Sequence, residues 1–128
     1  MTIQELNTLA TLLGPDGGRA LPGSPLFLGS DGAIPIDRDR TIVVVKGSAA
    51  ALTLGPAGGE NVGRRITITA GSDFAHVVTF SGGAAAHDGT TGPHTTWTSA
   101  AFEGSSTTVE AVSPTKWNVV SMNGGAYA

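Results

Sequence analysis

The 128-residue chain has no cysteine. That absence excludes disulfide stapling, thiolate catalysis and cysteine-ligated zinc together, so stability has to come from packing. Charge is scarce too: Asp, Glu, Lys and Arg make up 13% of the residues, about half the share of an average soluble domain. With a formal net charge of −3 and no run of Lys or Arg, nothing draws the chain to a phosphate backbone, and nucleic acid is not an expected partner. No Lys or Arg precedes Arg19, so the N-terminus lacks the charged region of a secretory signal, and no apolar run approaches the length of a membrane span. Aromatic residues are only 5% of the chain. The G-x-S-x-G, G-x-x-x-x-G-K-[ST] and G-x-G-x-x-G patterns are all missing, which removes the usual signs of a serine nucleophile and of a phosphate cradle.

Glycine, by contrast, numbers 19, and Ser and Thr are abundant. The surface must therefore be covered by hydroxyls and backbone more than by ions. Small side chains have few rotamers to freeze, so such a surface loses little entropy when another protein covers it.

The first 40 residues read as a helix, a tether and an extended arm. Thr2 followed by Glu5 fits a capping box, and Ile3, Leu6, Leu9, Ala10 and Leu13 recur at helical spacing, which predicts a helix over 2–13. Gly14-Pro15 stops it, and GPDGGRALPG over 14–23 is too rich in Gly and Pro for helix or strand. A helix of about a dozen residues is marginal alone in water, so its stripe of Ile3, Leu6, Leu9 and Leu13 needs a surface to dock on. Pro25-Leu26-Phe27-Leu28 and Ala33-Ile34-Pro35-Ile36, split by the turn Ser30-Asp31-Gly32, read as edge or extended segments lying along the body rather than inside its sheets.

Residues 41–128 form the expected body. Strands are predicted over 41–46, 50–54, 65–69, 76–81, 94–99, 106–112 and 117–122, nearly all rich in Val, Ile, Thr or aromatics. In Ala51-Leu52-Thr53-Leu54 and Arg65-Ile66-Thr67-Ile68-Thr69 apolar and hydroxyl residues alternate strictly, as in strands with one face in a core. The expected fold is all-β: an antiparallel β-sandwich or jelly-roll-like barrel with a short N-terminal helix and extended arm. Its core is expected to hold Val43 or Val44 with Leu52, Leu54, Ile66, Ile68, Val78, Phe80, Val109, Trp117 and Val119. Gly63–Ala70 echoes Gly104–Ala111, with Thr67 aligned to Thr108 and Val78 to Val119 at one offset, which suggests two similar hairpins, one in each sheet.

No catalytic constellation emerges. His76, His87 and His94 with Asp73 and Asp88 could in principle ligate a metal, but their spacing is not diagnostic, and turn and strand roles explain them. No metal, cofactor or catalytic residue is expected. Glu60, Asp73, Glu103 and Glu110 lie in different segments, so no carboxylate pair is visible. The Asp37-Arg38-Asp39-Arg40 run self-neutralises as a solvated strand start. Trp117 opens a strand and is expected to be buried with its N–H on a backbone carbonyl. Trp97, set among Thr95, Thr96 and Thr98, is the aromatic expected to contact a partner, alongside Ile3, Leu6, Leu9 and Leu13.

The succession KGSAAALTL, GRRITITAGSDFAHVVTF, a Gly-Thr loop, TTWTSAAFEGSS and KWNVVSMNG resembles small β-rich virion proteins of tailed bacteriophages, above all those that decorate or cement the head. The resemblance covers about residues 41–124 and is a pattern of strand types ending in Trp-x-Val-Val. It implies a non-enzymatic structural protein, made in the host cytoplasm and located on the capsid surface, whose partners are the major capsid protein and copies of itself. A homo-oligomer is implied, a trimer before a dimer, with no membrane and no nucleic acid involved. The alternative is a receptor- or glycan-binding module of a tail fibre or baseplate, which would need an exposed aromatic beside a polar pocket.

Overall fold

A computed structural model describes residues 24–128. The helix expected over 2–13 and the tether over 14–23 lie outside the described residues. Eleven strands follow in order: β1 (Leu26–Leu28), β2 (Gly32–Ala33), β3 (Arg40–Val44), β4 (Ala51–Leu54), β5 (Arg65–Ala70), β6 (Val77–Phe80), β7 (Ala85–His87), β8 (Thr96–Thr98), β9 (Ser106–Ala111), β10 (Lys116–Asn123) and β11 (Ala126–Tyr127). They make two sheets, one in the order β1-β3-β5-β9-β10-β7 and the other β11-β8-β6-β4-β2. Among the described residues the chain changes sheet after every strand except at the β9–β10 hairpin.

That alternation sets the pairing. Strands entering one sheet on successive passes run the same way, so β1, β3 and β5 pair parallel in register (Leu26, Ile42 and Ile68 side by side). In the other sheet β2, β4 and β6 do likewise, with Leu52 beside Val78. β9 then closes antiparallel on β5, and β8 on β6. The crossovers consequently gather at two ends. Loops 29–31, 45–50, 71–76, 99–105 and 124–125 share one end, called the upper end below, while 34–39, 55–64, 81–84 and 112–115 share the lower one.

Period-2 alternation fills the space between the sheets. From the six-stranded sheet come Ile42, Val44, Ile66, Ile68, Val109, Ala111 and Trp117, and from the other Leu52, Leu54, Val78, Phe80 and Trp97, all buried in one cluster. Trp117 donates its indole N–H to Gly55 O at 3.1 Å, tying the six-stranded sheet to the lower crossover after β4. The buried Thr107 hydroxyl is satisfied by Ser121 O at 3.1 Å and the Tyr127 hydroxyl at 2.8 Å. Near the upper end Gly125 has φ +78°, and a Cβ there would lie 2.5 Å from Thr98 O, so only glycine lets the chain turn so closely into β11.

The all-β expectation holds, and nine of the anticipated core residues are buried: Val44, Leu52, Leu54, Ile66, Ile68, Val78, Phe80, Val109 and Trp117. Val119 is only partly buried, because a β-bulge interrupts the register between Val119 and Ser121. Three expectations are corrected. The sheets are mixed rather than antiparallel, since five of the nine strand pairings are parallel. The echoing segments do not form one hairpin in each sheet; Arg65–Ala70 and Ser106–Ala111 are β5 and β9, neighbours in the same sheet, with Thr67 opposite Thr108. Finally, residues 26–33 of the expected arm are edge strands, as one of the two readings had it, but as β1 and β2 they are paired into both sheets rather than lying alongside them.

Ile68 sits between Ile42 and Thr107 in the interior row. Truncating it (Ile68→Ala) is expected to cost about 2–5 kcal/mol in urea unfolding; a loss near zero would show that this row is not a packed interior.

Candidate functional site

The pairs that most resemble catalytic machinery are built into hydrogen-bond networks that give each atom a fixed structural role. His76, buried at 1% exposure, closes the upper loop before β6. Its Nδ1 accepts the Ala50 N–H at 3.0 Å, so the ring proton sits on Nε2, which donates to Ser72 Oγ at 3.0 Å. Ser72 Oγ in turn donates to Lys46 O at 2.7 Å. The serine faces a nitrogen that already carries a proton, so His76 is not placed to act as its general base. The His76 N–H also reaches Ser99 Oγ at 2.9 Å, and Ser99 Oγ donates to Phe74 O. Through its ring and its backbone N–H, His76 thereby joins three upper crossovers. Burial holds it below the ordinary histidine value, since the charged form would lose its hydration, against an opposing hydrogen bond from Ser72.

At the other histidine cluster, Asp88 Oδ1 accepts from the Thr90 N–H at 3.0 Å, the Thr90 hydroxyl at 2.6 Å and His94 Nε2 at 2.9 Å. The Thr90 hydroxyl lies 3.1 Å from the same His94 nitrogen. A relay triad would need the carboxylate and the hydroxyl on opposite ring nitrogens; here both crowd one. The donors from Thr90, side chain first, bring the Asp88 carboxyl down to about 2, and His94 adds to the effect. This is an Asx-type turn clamping the loop after β7. Tyr127 packs over it, 6.0 Å between ring centroids from His94 and 6.5 Å from Trp97, and burial pushes its hydroxyl up to about 12. His76, His87 and His94 are not brought together, and among the described residues no three His, Asp or Glu side chains are grouped to hold a metal.

The surfaces are more informative. On the outer face of the five-stranded sheet, Ala33, Thr53, Thr79 and Thr96 form one cross-strand row and Ala51, Val77, Thr98 and Ala126 another, with no ionisable side chain among them. The outer face of the six-stranded sheet repeats the plan with Thr41, Thr67, Thr108 and Ser121 in one row, where the Thr67 and Thr108 hydroxyls bond at 2.8 Å. Among the described residues, Arg65 and Glu110 make a cross-strand ion pair on this face, at 2.8 Å. The two rows of the five-stranded sheet can be covered by protein without stripping water from charges.

Of the residues expected to touch a partner, Ile3, Leu6, Leu9 and Leu13 lie outside the described residues. Trp97 is a correction: at 1% exposure it belongs to the core, because its position on β8 points inward opposite Val78 and Tyr127. The exposed apolar side chains are others: Phe27, Phe74, Phe102, Val120 and Met122 among them, with Phe102 the most exposed at 72%. Phe102 stands at a shallow depression of ≈ 240 Å³ at the upper end, lined also by Glu103, Ser105, Asn123 and Gly124. For Phe27 a sequence signal exists, since it alternates with the inward-leaning Leu26 and Leu28. Phe102 follows no periodic strand and carries none.

Comparison of the chain with protein-family models and with curated proteins finds no match.

The His76 network makes stability depend on pH with a definite sign. The unfolded chain binds the proton at the ordinary value of 6.5, and the folded chain only at a lower pH. The contribution is therefore complete above pH 6.5 and is lost as pH falls through the folded value. In urea titrations between pH 7.5 and 5 the midpoint should fall, and His76→Gln should flatten that part of the slope. An unchanged slope in the variant would contradict a buried, neutral His76 in the folded chain.

Proposed function

We propose that the chain is a non-enzymatic structural protein that binds the outside of a phage capsid and stabilises it as a decoration or cement protein. The reading starts from the resemblance of residues 41–124 to small virion proteins. The observation that carries it further is the pair of broad, hydroxyl-covered outer faces, one without any ionisable side chain in its two cross-strand rows. The ion-free face suits being covered by another protein, because neither ions nor long side chains have to be immobilised in its rows. The locked roles of Ser72, His76, Thr90 and His94 support a structural rather than a catalytic use of the polar groups.

In this reading the two sheets are the layers of a β-sandwich body and residues 1–23 supply the anchor. Burying Ile3, Leu6, Leu9 and Leu13 against the major capsid protein would contribute on the order of 6–12 kcal/mol before ordering costs, and ordering a dozen residues removes most of it. Binding per copy is modest. Copies joined in a homo-oligomer hold firmly, because later arms bind at the effective concentration set by the first.

One observation favours the second reading, a receptor- or glycan-binding tail module. Phe102 beside Glu103 and Asn123 at the upper depression offers an aromatic face with a carboxylate and an amide, the combination a saccharide site uses.

Electron microscopy of purified virions distinguishes the two. Ordered, stoichiometric copies on the head, lost when residues 1–14 are deleted while the melting temperature of the purified body stays unchanged, is the expected result. Copies on the tail would transfer the function to the second reading, and absence from the particle would overturn both.

A further inference from the structure

We infer that Asn123 is a modification site, at which attack by the Gly124 backbone nitrogen closes the side chain into a cyclic imide that reopens as aspartate or isoaspartate. The inference is independent of the proposed function and rests on the end of β10.

The chain has four asparagines, and three of them precede a β-branched residue: Asn7-Thr8, Asn61-Val62 and Asn118-Val119. A branch at Cβ crowds the peptide nitrogen of its own residue and hinders attack from it. Asn123 precedes glycine, whose nitrogen has no side chain beside it. The fold itself demands that glycine. Gly124 has φ +78°, and a Cβ there would lie 3.0 Å from Ser105 Oγ, so any other residue would strain the turn out of β10.

The surroundings leave the reacting groups free. Asn123 and Gly124 are both exposed, so water and hydroxide reach them. Among the described residues the Gly124 N–H donates no hydrogen bond, which leaves its proton open to a base. The Asn123 side-chain amide donates to Gly104 O at 3.4 Å, beyond the usual N–H···O range, and is only loosely held. Ring closure also requires the peptide after Asn123 to turn until the Gly124 nitrogen faces Cγ. Asn123 is the last rung of the β9–β10 ladder, opposite Ser106, and β7 has ended beside Asn118. The turn therefore disturbs one rung at a ladder end, where sheets open most readily. The other described asparagines are held. Asn118 pairs with Glu110 on one side and His87 on the other, while Asn61 donates to Ala57 O at 3.1 Å and accepts from Arg64 Nε at 3.3 Å.

The steps balance without an oxidant or a metal. Hydroxide removes the Gly124 amide proton, the nitrogen bonds to Asn123 Cγ, and the Cγ–Nδ2 bond breaks, the leaving nitrogen taking a proton from water to depart as ammonia. Water then opens the imide. Cleavage between Cγ and the ring nitrogen gives aspartate on the original backbone, and cleavage between the main-chain carbonyl carbon and that nitrogen gives isoaspartate, with the backbone routed through Cγ. Either product sets a carboxylate where an amide had donated to Gly104 O, with Glu103 lining the same depression. Isoaspartate also lengthens the backbone just before a turn with no slack, since a Cβ on Gly125 would already lie 2.5 Å from Thr98 O. β11 follows that turn, with Ala126 opposite Thr98, Tyr127 opposite Trp97 and the Tyr127 hydroxyl on Thr107. The modification consequently loosens β11 from β8.

Warm incubation of the purified full-length chain at neutral and at alkaline pH, followed by peptide mapping with fragmentation that separates isoaspartate from aspartate, tests the site. Asn123 is expected to lose its amide, faster at alkaline pH and with isoaspartate among the products, while Asn61 and Asn118 in the same sample stay intact. A urea-denatured sample incubated alongside separates fold from sequence. Conversion of Asn123 in the denatured chain only, equal conversion of Asn118 and Asn123, or no conversion at all would each overturn the inference. The urea midpoint of the aged chain should fall, and Asn123→Gln, whose longer side chain closes a ring less readily, should keep its midpoint through the same incubation. An equal fall in both would overturn the loosening of β11. Should Asn123→Gln fold poorly, Asn123→Ser, which carries no amide, takes its place.

Discussion

The structure depends on one constraint: the chain changes sheet after almost every strand. A strand that returns to the sheet of the strand before last arrives in the same direction, so β1, β3 and β5 must be parallel, and so must β2, β4 and β6. Inward side chains of both sheets then share one hydrophobic cluster, and most loops are pushed to one of two ends. The polar chemistry of the molecule follows its loops. At the upper end His76 joins three crossovers through Ala50, Ser72 and Ser99, and at the lower end the Trp117 indole fixes Gly55. Without such ties each crossover would leave backbone groups dehydrated beside an apolar core.

The same constraint shapes the surface. With the loops at the ends, the two broad outer faces are plain sheet, and the sequence places Thr, Ser, Ala and Val there in cross-strand rows. His76, His94 and Asp88, which might have suggested chemistry, are consumed by turn closure. What the described residues offer to their surroundings is sheet area, hydroxyls and a few exposed apolar side chains. These are the properties of a component that works by being covered, in keeping with the proposed structural function.

Much of the interior was legible from alternation alone. Arg65-Ile66-Thr67-Ile68-Thr69 and Ala51-Leu52-Thr53-Leu54 announced which side chains turn inward, and Trp117 with a carbonyl partner followed from its place at a strand start. Strand direction was not legible. A half-buried strand shows the same two-residue period whether its neighbour runs with it or against it, so Ile66 and Ile68 fit either pairing. The echo between 63–70 and 104–111 was real but misread: the two segments resemble each other because they lie side by side in one sheet and face the same interior. β2, β7 and β11 have two or three residues each, too few to show a period. Trp97 misled because its threonine neighbours suggested an exposed stretch, whereas Thr96 and Thr98 are the outward partners of an inward tryptophan. Phe102 lies in a crossover, where no pattern announces exposure.

The parallel passes are therefore the claim to test. Cross-strand nuclear Overhauser effects in the isotope-labelled chain distinguish the arrangements directly. Backbone contacts between β3 and β5 around Ile42 and Ile68, and between β4 and β6 around Leu52 and Val78, in the staggered pattern of parallel strands are the expected result. Close Hα–Hα contacts joining Arg65–Ala70 to Val77–Phe80 as an antiparallel hairpin would contradict it.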